Sequence, residues 1–225
     1  MSPENSRPSA RRSFLGTLAG GAVALGAAPL LASCAAPAPV ASAPADEESW
    51  IKPLTGKHKQ VFDAPAVNSG FPLIFAYMYL ETMTKAYNLK AGEANAVVVV
   101  RHFGIPMALS DSIWAKYKLG EMMKLTDPAT KKPSVRNYFY KSKEGDLMAP
   151  DASADKLIAR GVVIAVCNIA LQKVSEMAAK GAGVKPEDAL KEWMAGLIPG
   201  AFVVPSGVLA VGRTQEKGCT YCFAG

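Results

Sequence analysis

The stretch GVVIAVCNIALQKVSEMAAKG, Gly161 to Gly181, decides the fold. Gly161 to Cys167 is an unbroken apolar run rich in β-branched residues, the composition of a strand covered on both faces. At Asn168 the pattern becomes helical and continues to Lys180, with Gly181 as its stop. A buried strand that runs directly into a helix is half of a parallel crossover unit.

The same alternation extends in both directions. KQVFDA (Lys59 to Ala64) and ANAVVVV (Ala94 to Val100) read as strands, the second again continuous and β-branched. Between them Ser69 and Gly70 open a helix from Pro72 to Asn88. Its proline lies near the start, where helices tolerate it, and its apolar residues crowd nearly every face, as in a buried helix. Asp111 caps a helix through Leu125 that carries Trp114 and Tyr117. Thr126 to Pro150 is polar, is punctuated by Pro128 and Pro133, and reads as a loop or lid outside the core. Ser153 caps a short helix that Gly161 ends. Downstream, Pro186 to Leu197 is an amphipathic helix, AFVVP a strand, SGVLAVGRTQEK a helix and CTYCFA a short last strand. The order β-α-β-α-loop-α-β-α-α-β-α-β predicts a three-layer α/β sandwich around a mostly parallel sheet.

The domain predicted to fold, from about residue 50 to 225, is large enough for one proper core. Half of all residues are hydrophobic and a fifth are charged, an ordinary globular balance. The net charge of +6 is mild, and no basic stripe is interleaved with aromatics, so no nucleic-acid partner is expected. No glycine-rich nucleotide fingerprint follows any strand, and no cofactor is expected. The two histidines, His58 and His102, and the scattered cysteines have no metal-ligand spacing.

The amino-terminal segment reads as an address. Arg7, Arg11 and Arg12 precede an uncharged run, FLGTLAGGAVALGAAPLL, Phe14 to Leu31. This is a secretory signal layout, and SARRSFLG looks like a twin-arginine export signal. The run also has the length of a transmembrane anchor, against which its glycines and proline weigh. LASC, Leu31 to Cys34, resembles a bacterial lipobox with Cys34 as the lipid-bearing residue; the alternative is cleavage after Ala43. The predicted organisation is a signal over residues 1–33, a disordered Pro/Ala tether over 34–49, and the α/β domain over 50–225. The folded part is expected outside the cytoplasm, in the periplasm or cell envelope, held to the membrane through the lipid.

In open parallel sheets the ligand crevice lies at the carboxyl ends of the strands. Three predicted strand ends carry chemistry: Arg101-His102-Phe103, Cys167-Asn168, and Pro205-Ser206-Gly207. Cys167 is the predicted reactive residue, because the amino end of the following helix carries partial positive charge and unpaired N–H groups that stabilise a thiolate. The alternative is that it is an inert buried thiol. Arg101, His102, Asn168 and Ser206 are the predicted substrate-binding groups, although adjacent strand residues point to opposite faces. Asn137 either closes over the crevice or shapes a turn. Cys219 and Cys222 have thioredoxin-like spacing, but on a strand they face opposite ways, about 10 Å apart, beyond disulfide reach.

Two segments carry a resemblance. KLIARGVVIAVCNIAL resembles the part of DsrE/DsrF-type proteins in which a short helix ends in glycine, a strand follows, and a cysteine opens the next helix. VVPSGVLAVGRTQEKGCTY resembles that family's closing strand-helix-strand, and VVVV followed by Arg101-His102 fits its preceding strand. The resemblance implies a flavodoxin-like fold and homo-oligomers. It also implies a persulfide on the cysteine matching Cys167, exchanged with a sulfur donor or acceptor protein. The chain departs from the relay members in its export signal, in a long insertion between Leu109 and Ser153, and in lacking an arginine pair after Cys167. Two functions follow as expectations: sulfur binding or transfer through Cys167, or a non-catalytic binding module of the cell envelope.

Overall fold

A computed structural model describes residues 48–225. The signal, Cys34 and all but the last two residues of the tether lie outside the described residues. Among the described residues no helix is long and apolar enough to cross a membrane.

Five strands form one sheet: β1 (His58–Ala66), β2 (Ala94–Phe103), β3 (Val163–Cys167), β4 (Ala201–Val204) and β5 (Thr220–Phe223). All neighbouring pairs are parallel, in the order β4-β3-β2-β1-β5. The helices are α1 (Phe71–Tyr87), α2 (Asp111–Lys116), α3 (Leu119–Met122), α4 (Ala154–Ala159), α5 (Asn168–Ala182), α6 (Pro186–Ala195) and α7 (Gly207–Glu216).

The continuous apolar strands divide their side chains between two cores, as the two-residue period requires. Phe62, Val98, Val100, Ile164 and Val166 pack with residues of α1, α4, α5 and α6. Val61, Val97, Val99, Val163 and Ala165 pack on the other face with Ala210 of α7 and with Trp50, Ile51 and Leu54. This is the three-layer, flavodoxin-like α/β sandwich that the element order predicts. Its edge beside β1 is taken by the last strand, β5, whereas flavodoxin itself has the order 2-1-3-4-5. The thinner layer is α7 together with the turn around Trp50.

The expected single helix from Asp111 to Leu125 is two short ones, with Lys118 at a positive φ of 49° between them. A close backbone approach accompanies the break: a Cβ on Gly120 would lie 2.2 Å from the carbonyl oxygen of Ser134. The cap is Ser110 rather than Asp111. Asp111 instead accepts the Asn137 N–H at 2.7 Å. Helix α5 ends at Gly183 (φ 64°), two residues past the expected stop.

The segment from Thr126 to Pro150 is irregular, as expected, but it is not a lid. Tyr138, Phe139 and Met148 are fully buried in the larger core, and both Tyr138 and Phe139 rings lie 6.1 Å from Trp114. Its polar character serves internal bonds. Arg136 joins Asp127 and Asp146, which holds both carboxyls below the ordinary range against the opposing effect of burial. The Asn137 amide donates to the carbonyls of Met107 (2.9 Å) and Leu109 (2.7 Å) and accepts from Phe139. Asn137 therefore ties this segment to the turn after β2 and does not reach over the crevice.

Candidate functional site

The connections after β1, β2 and β3 pass to the side of α1, α4 and α5, whereas the connection after β4 enters α7 on the other side. Adjacent strands whose continuations part to opposite faces open a crevice at their carboxyl ends. Here that pair is β3 and β4, and a cavity of about 340 Å³ lies beside it. Four predicted residues line it: Arg101, His102, Cys167 and Ser206. Asn168, the first residue of α5, is not among its lining residues.

Cys167 ends β3 and serves as the N-cap of α5. Its backbone is extended, as a cap requires, and its Sγ accepts the Ala170 N–H at 3.4 Å. The residue is 6 % exposed. The sulfur thus faces the cavity from the first turn of a fifteen-residue helix, where unpaired amides accommodate an anion.

Arg101 and His102 both reach the cavity because β2 is irregular at this point. His102 has a φ of 45°, and the register against β1 slips between Ala64 and Ala66. A bulge re-aims successive side chains that regular pleating would send apart. The Arg101 guanidinium is engaged elsewhere at once. It donates to both oxygens of Asp63, at 2.6 and 2.8 Å, and through Nη1 to His102 Nδ1 at 2.8 Å. Arginine has no acceptor, so Nδ1 accepts and the remaining imidazole proton sits on Nε2.

Asp63 also accepts the Tyr221 hydroxyl at 2.9 Å. Burial raises its pKa, but the hydrogen bonds from Arg101 and Tyr221 and the nearby positive charge outweigh burial and hold the carboxyl below its ordinary value. In turn the bond to Asp63 raises Arg101 further, against the effect of burial. Tyr221 is pushed up by burial and by its bond to the same carboxylate.

Gly207 closes the arrangement. A Cβ there would lie 2.8 Å from Arg101 Cβ and 3.1 Å from Cys167 Cβ. Only a residue without a side chain lets the start of α7 pack this close to both strands. The cavity walls are apolar: Phe103 from β2, Ile169, Val174 and Met177 from α5, and Val208 from α7. Lys173 stands among them and pairs with Glu176 at 3.5 Å.

Sequence reasoning missed Asp63, Tyr221 and the helical walls, and it placed Gly207 and Phe103 at the strand ends without giving them a role. One signal was available for Asp63, which is the lone charge in the apolar core of its strand, VFDA. The geometry of the last strand matches expectation. Cys219 belongs to the smaller core and Cys222 packs against the larger one, on opposite sides of the sheet. Both are free thiols raised by burial. Among the described residues no group of three or more histidine, cysteine or acidic side chains is arranged to hold a metal.

No family model matches the chain, and no curated protein matches it by sequence. A solved structure of a protein of unknown function from Methanobacterium thermoautotrophicum is similar at 17 % identity with a TM-score of 0.38, over 74 % of this chain and 98 % of that one.

Proposed function

We propose that this is a sulfur-handling protein of the bacterial cell envelope in which Cys167 accepts sulfane sulfur as a persulfide. The reading is carried by one observation: the Cys167 sulfur lines the switch-point cavity and receives an N–H from the first turn of α5. In the step, the Cys167 thiolate attacks the terminal sulfur of a donor persulfide, R–S–SH. A new S–S bond forms to Cys167, the donor's S–S bond breaks, and R–S⁻ leaves with the electron pair. No external oxidant or reductant enters. The resemblance of Lys156–Leu171 to DsrE/DsrF-type segments supports the same chemistry, and with it homo-oligomer formation and a protein partner for the sulfur. Export by the twin-arginine route and lipid attachment at Cys34 belong to the proposal as well.

Ser206 and His102 are the groups that stabilise the bound sulfur species, since Arg101 is already bonded to Asp63. Intact mass after treatment with a persulfide donor tests the reading. A gain of ~32 Da that disappears in Cys167→Ser is expected, because the reachable thiolate is the acceptor. No gain, or a gain that persists in that variant, removes it.

A second reading, a non-catalytic binding module, draws on the low exposure of Cys167 and the apolar walls. It requires that small alkylating reagents leave Cys167 unmodified until the protein is denatured.

A further inference from the structure

The cavity has a chemical bias that persulfide transfer alone does not require. We infer that the donor it admits is a small organic persulfide with an apolar remainder rather than a hydrophilic or charged one. The inference rests on the sulfur-transfer reading and specifies its substrate class.

Of the cations lining the cavity, Arg101 is held by the buried Asp63 carboxylate, whereas Lys173 is largely exposed and only approaches Glu176, at 3.5 Å. His102 accepts a hydrogen bond from Arg101 through Nδ1. The first turn of α5 accommodates the negative sulfur itself, and the rest of a donor meets the walls. The walls, by contrast, are aliphatic and aromatic, and several remain exposed at the mouth: Val208 at 70 %, Ile169 at 55 % and Met177 at 50 %. Large apolar side chains left in water around a reactive atom mark a place where an apolar group is received. The volume of about 340 Å³ holds on the order of ten non-hydrogen atoms at ~30 Å³ for each water-sized group. That is room for a persulfide on a ring or a short chain. The polar end of the cavity, Cys167, Ser206 and His102, then meets the sulfur, while the tail lies along Ile169, Met177 and Val208.

The test compares benzyl persulfide with glutathione persulfide on the full chain, each rate being divided by that donor's rate with free cysteine methyl ester. Formation of the Cys167 adduct is followed by intact mass. A normalised preference of about tenfold or more for the benzyl donor is expected from burial of its ring. Val208→Asp should remove that preference by slowing the benzyl donor alone. A ratio near one, or a faster glutathione donor, overturns the inference and leaves the sulfur reading intact.

Benzyl methyl sulfide, which cannot transfer sulfur, supplies a second readout through ligand-observed NMR. Saturable binding lost in Val208→Asp supports the apolar cavity as the donor site; where neither donor modifies Cys167, the sulfur reading falls and the donor inference with it, and only the apolar cavity is left. Adduct formation without any sulfide binding overturns the inference alone. So does a sedimentation-detected dimer that Val208→Asp dissociates and that the sulfide fails to enter, since a second copy then covers these residues.

Discussion

The Asp63 carboxylate and the Arg101 guanidinium form a two-point ion pair between neighbouring strands, Nε to Oδ1 at 2.6 Å and Nη2 to Oδ2 at 2.8 Å. Asp63 is 4 % exposed. The pair fixes Arg101 at the back of the crevice and, through Nη1, orients His102.

Removing one partner of a largely buried pair strands the other. Asp63→Asn should cost about 3 kcal/mol in urea unfolding at pH 7, toward the low end for such pairs because Arg101 keeps some solvent. The same variant should slow sulfur acceptance, since His102 loses its orienting neighbour. The pH dependence has a definite sign. The folded Asp63 carboxyl ionises below its ordinary value, so its contribution is fully present above the unfolded value of about 3.9 and is lost as pH falls through the lower folded value. The stability gap between wild type and Asp63→Asn should therefore be flat above about pH 5 and shrink below about pH 4.

Gly207 and Gly212 lie one and a half turns apart on the same helix and should respond oppositely to alanine. At Gly207 the new methyl would press on Arg101 and Cys167 at 2.8 and 3.1 Å. Overpacking of that kind costs about 1–3 kcal/mol and should displace the sulfur enough to slow acceptance markedly. At Gly212 nothing lies within 4 Å, so alanine should stabilise by about 0.5–1 kcal/mol through its helix preference. Thermal unfolding of both variants, with adduct formation measured alongside, checks the contrast.

The three described thiols should separate by rate. Cys167 and Cys219 are equally shielded, at 6 % exposed each. Cys167 lines a cavity at a helix start, whereas Cys219 is packed in the smaller core and raised by burial; Cys222 is more exposed and also raised by burial. Under native conditions near neutral pH, iodoacetamide should label Cys167 first and Cys219 last, as read by peptide mass mapping. Labelling of Cys219 ahead of Cys167 would contradict the geometry.

Asn137 should behave as a stability residue and not as a lid. Asn137→Ala leaves the buried carbonyls of Met107 and Leu109 without their donor, at about 1–3 kcal/mol for each unsatisfied group. Sulfur acceptance by the protein that remains folded should be unchanged. A lid residue would show the reverse, altered rates at unaltered stability.

How the segment around Asn137 was misjudged shows where sequence reading stops. Its prolines and charges are real loop signals, and the irregular backbone follows from them. Its core residues, Tyr138, Phe139 and Met148, carry no period that assigns them to a face, because no helix or strand repeats through them. Arg101 and His102 were both expected at the crevice, but the backbone feature that lets two adjacent strand residues reach it was hidden. Regular pleating forbids that double reach, and the positive φ at His102 that permits it has no signature in the residues themselves.

What the chain alone determined is the alternation of buried strands and helices, hence the parallel sheet and the placing of Cys167 where a strand meets a helix. Those features follow from local composition: β-branched runs bury both faces, and glycines and prolines punctuate them. The strand order, and with it the crevice beside β3 and β4, was decided only by the tertiary structure. So were the binding of Arg101 by Asp63 and the apolar walls around the sulfur. They depend on residues far apart in sequence, Asp63 with Tyr221 and Gly207 with Cys167, whose meeting is fixed by which strand takes which edge of the sheet.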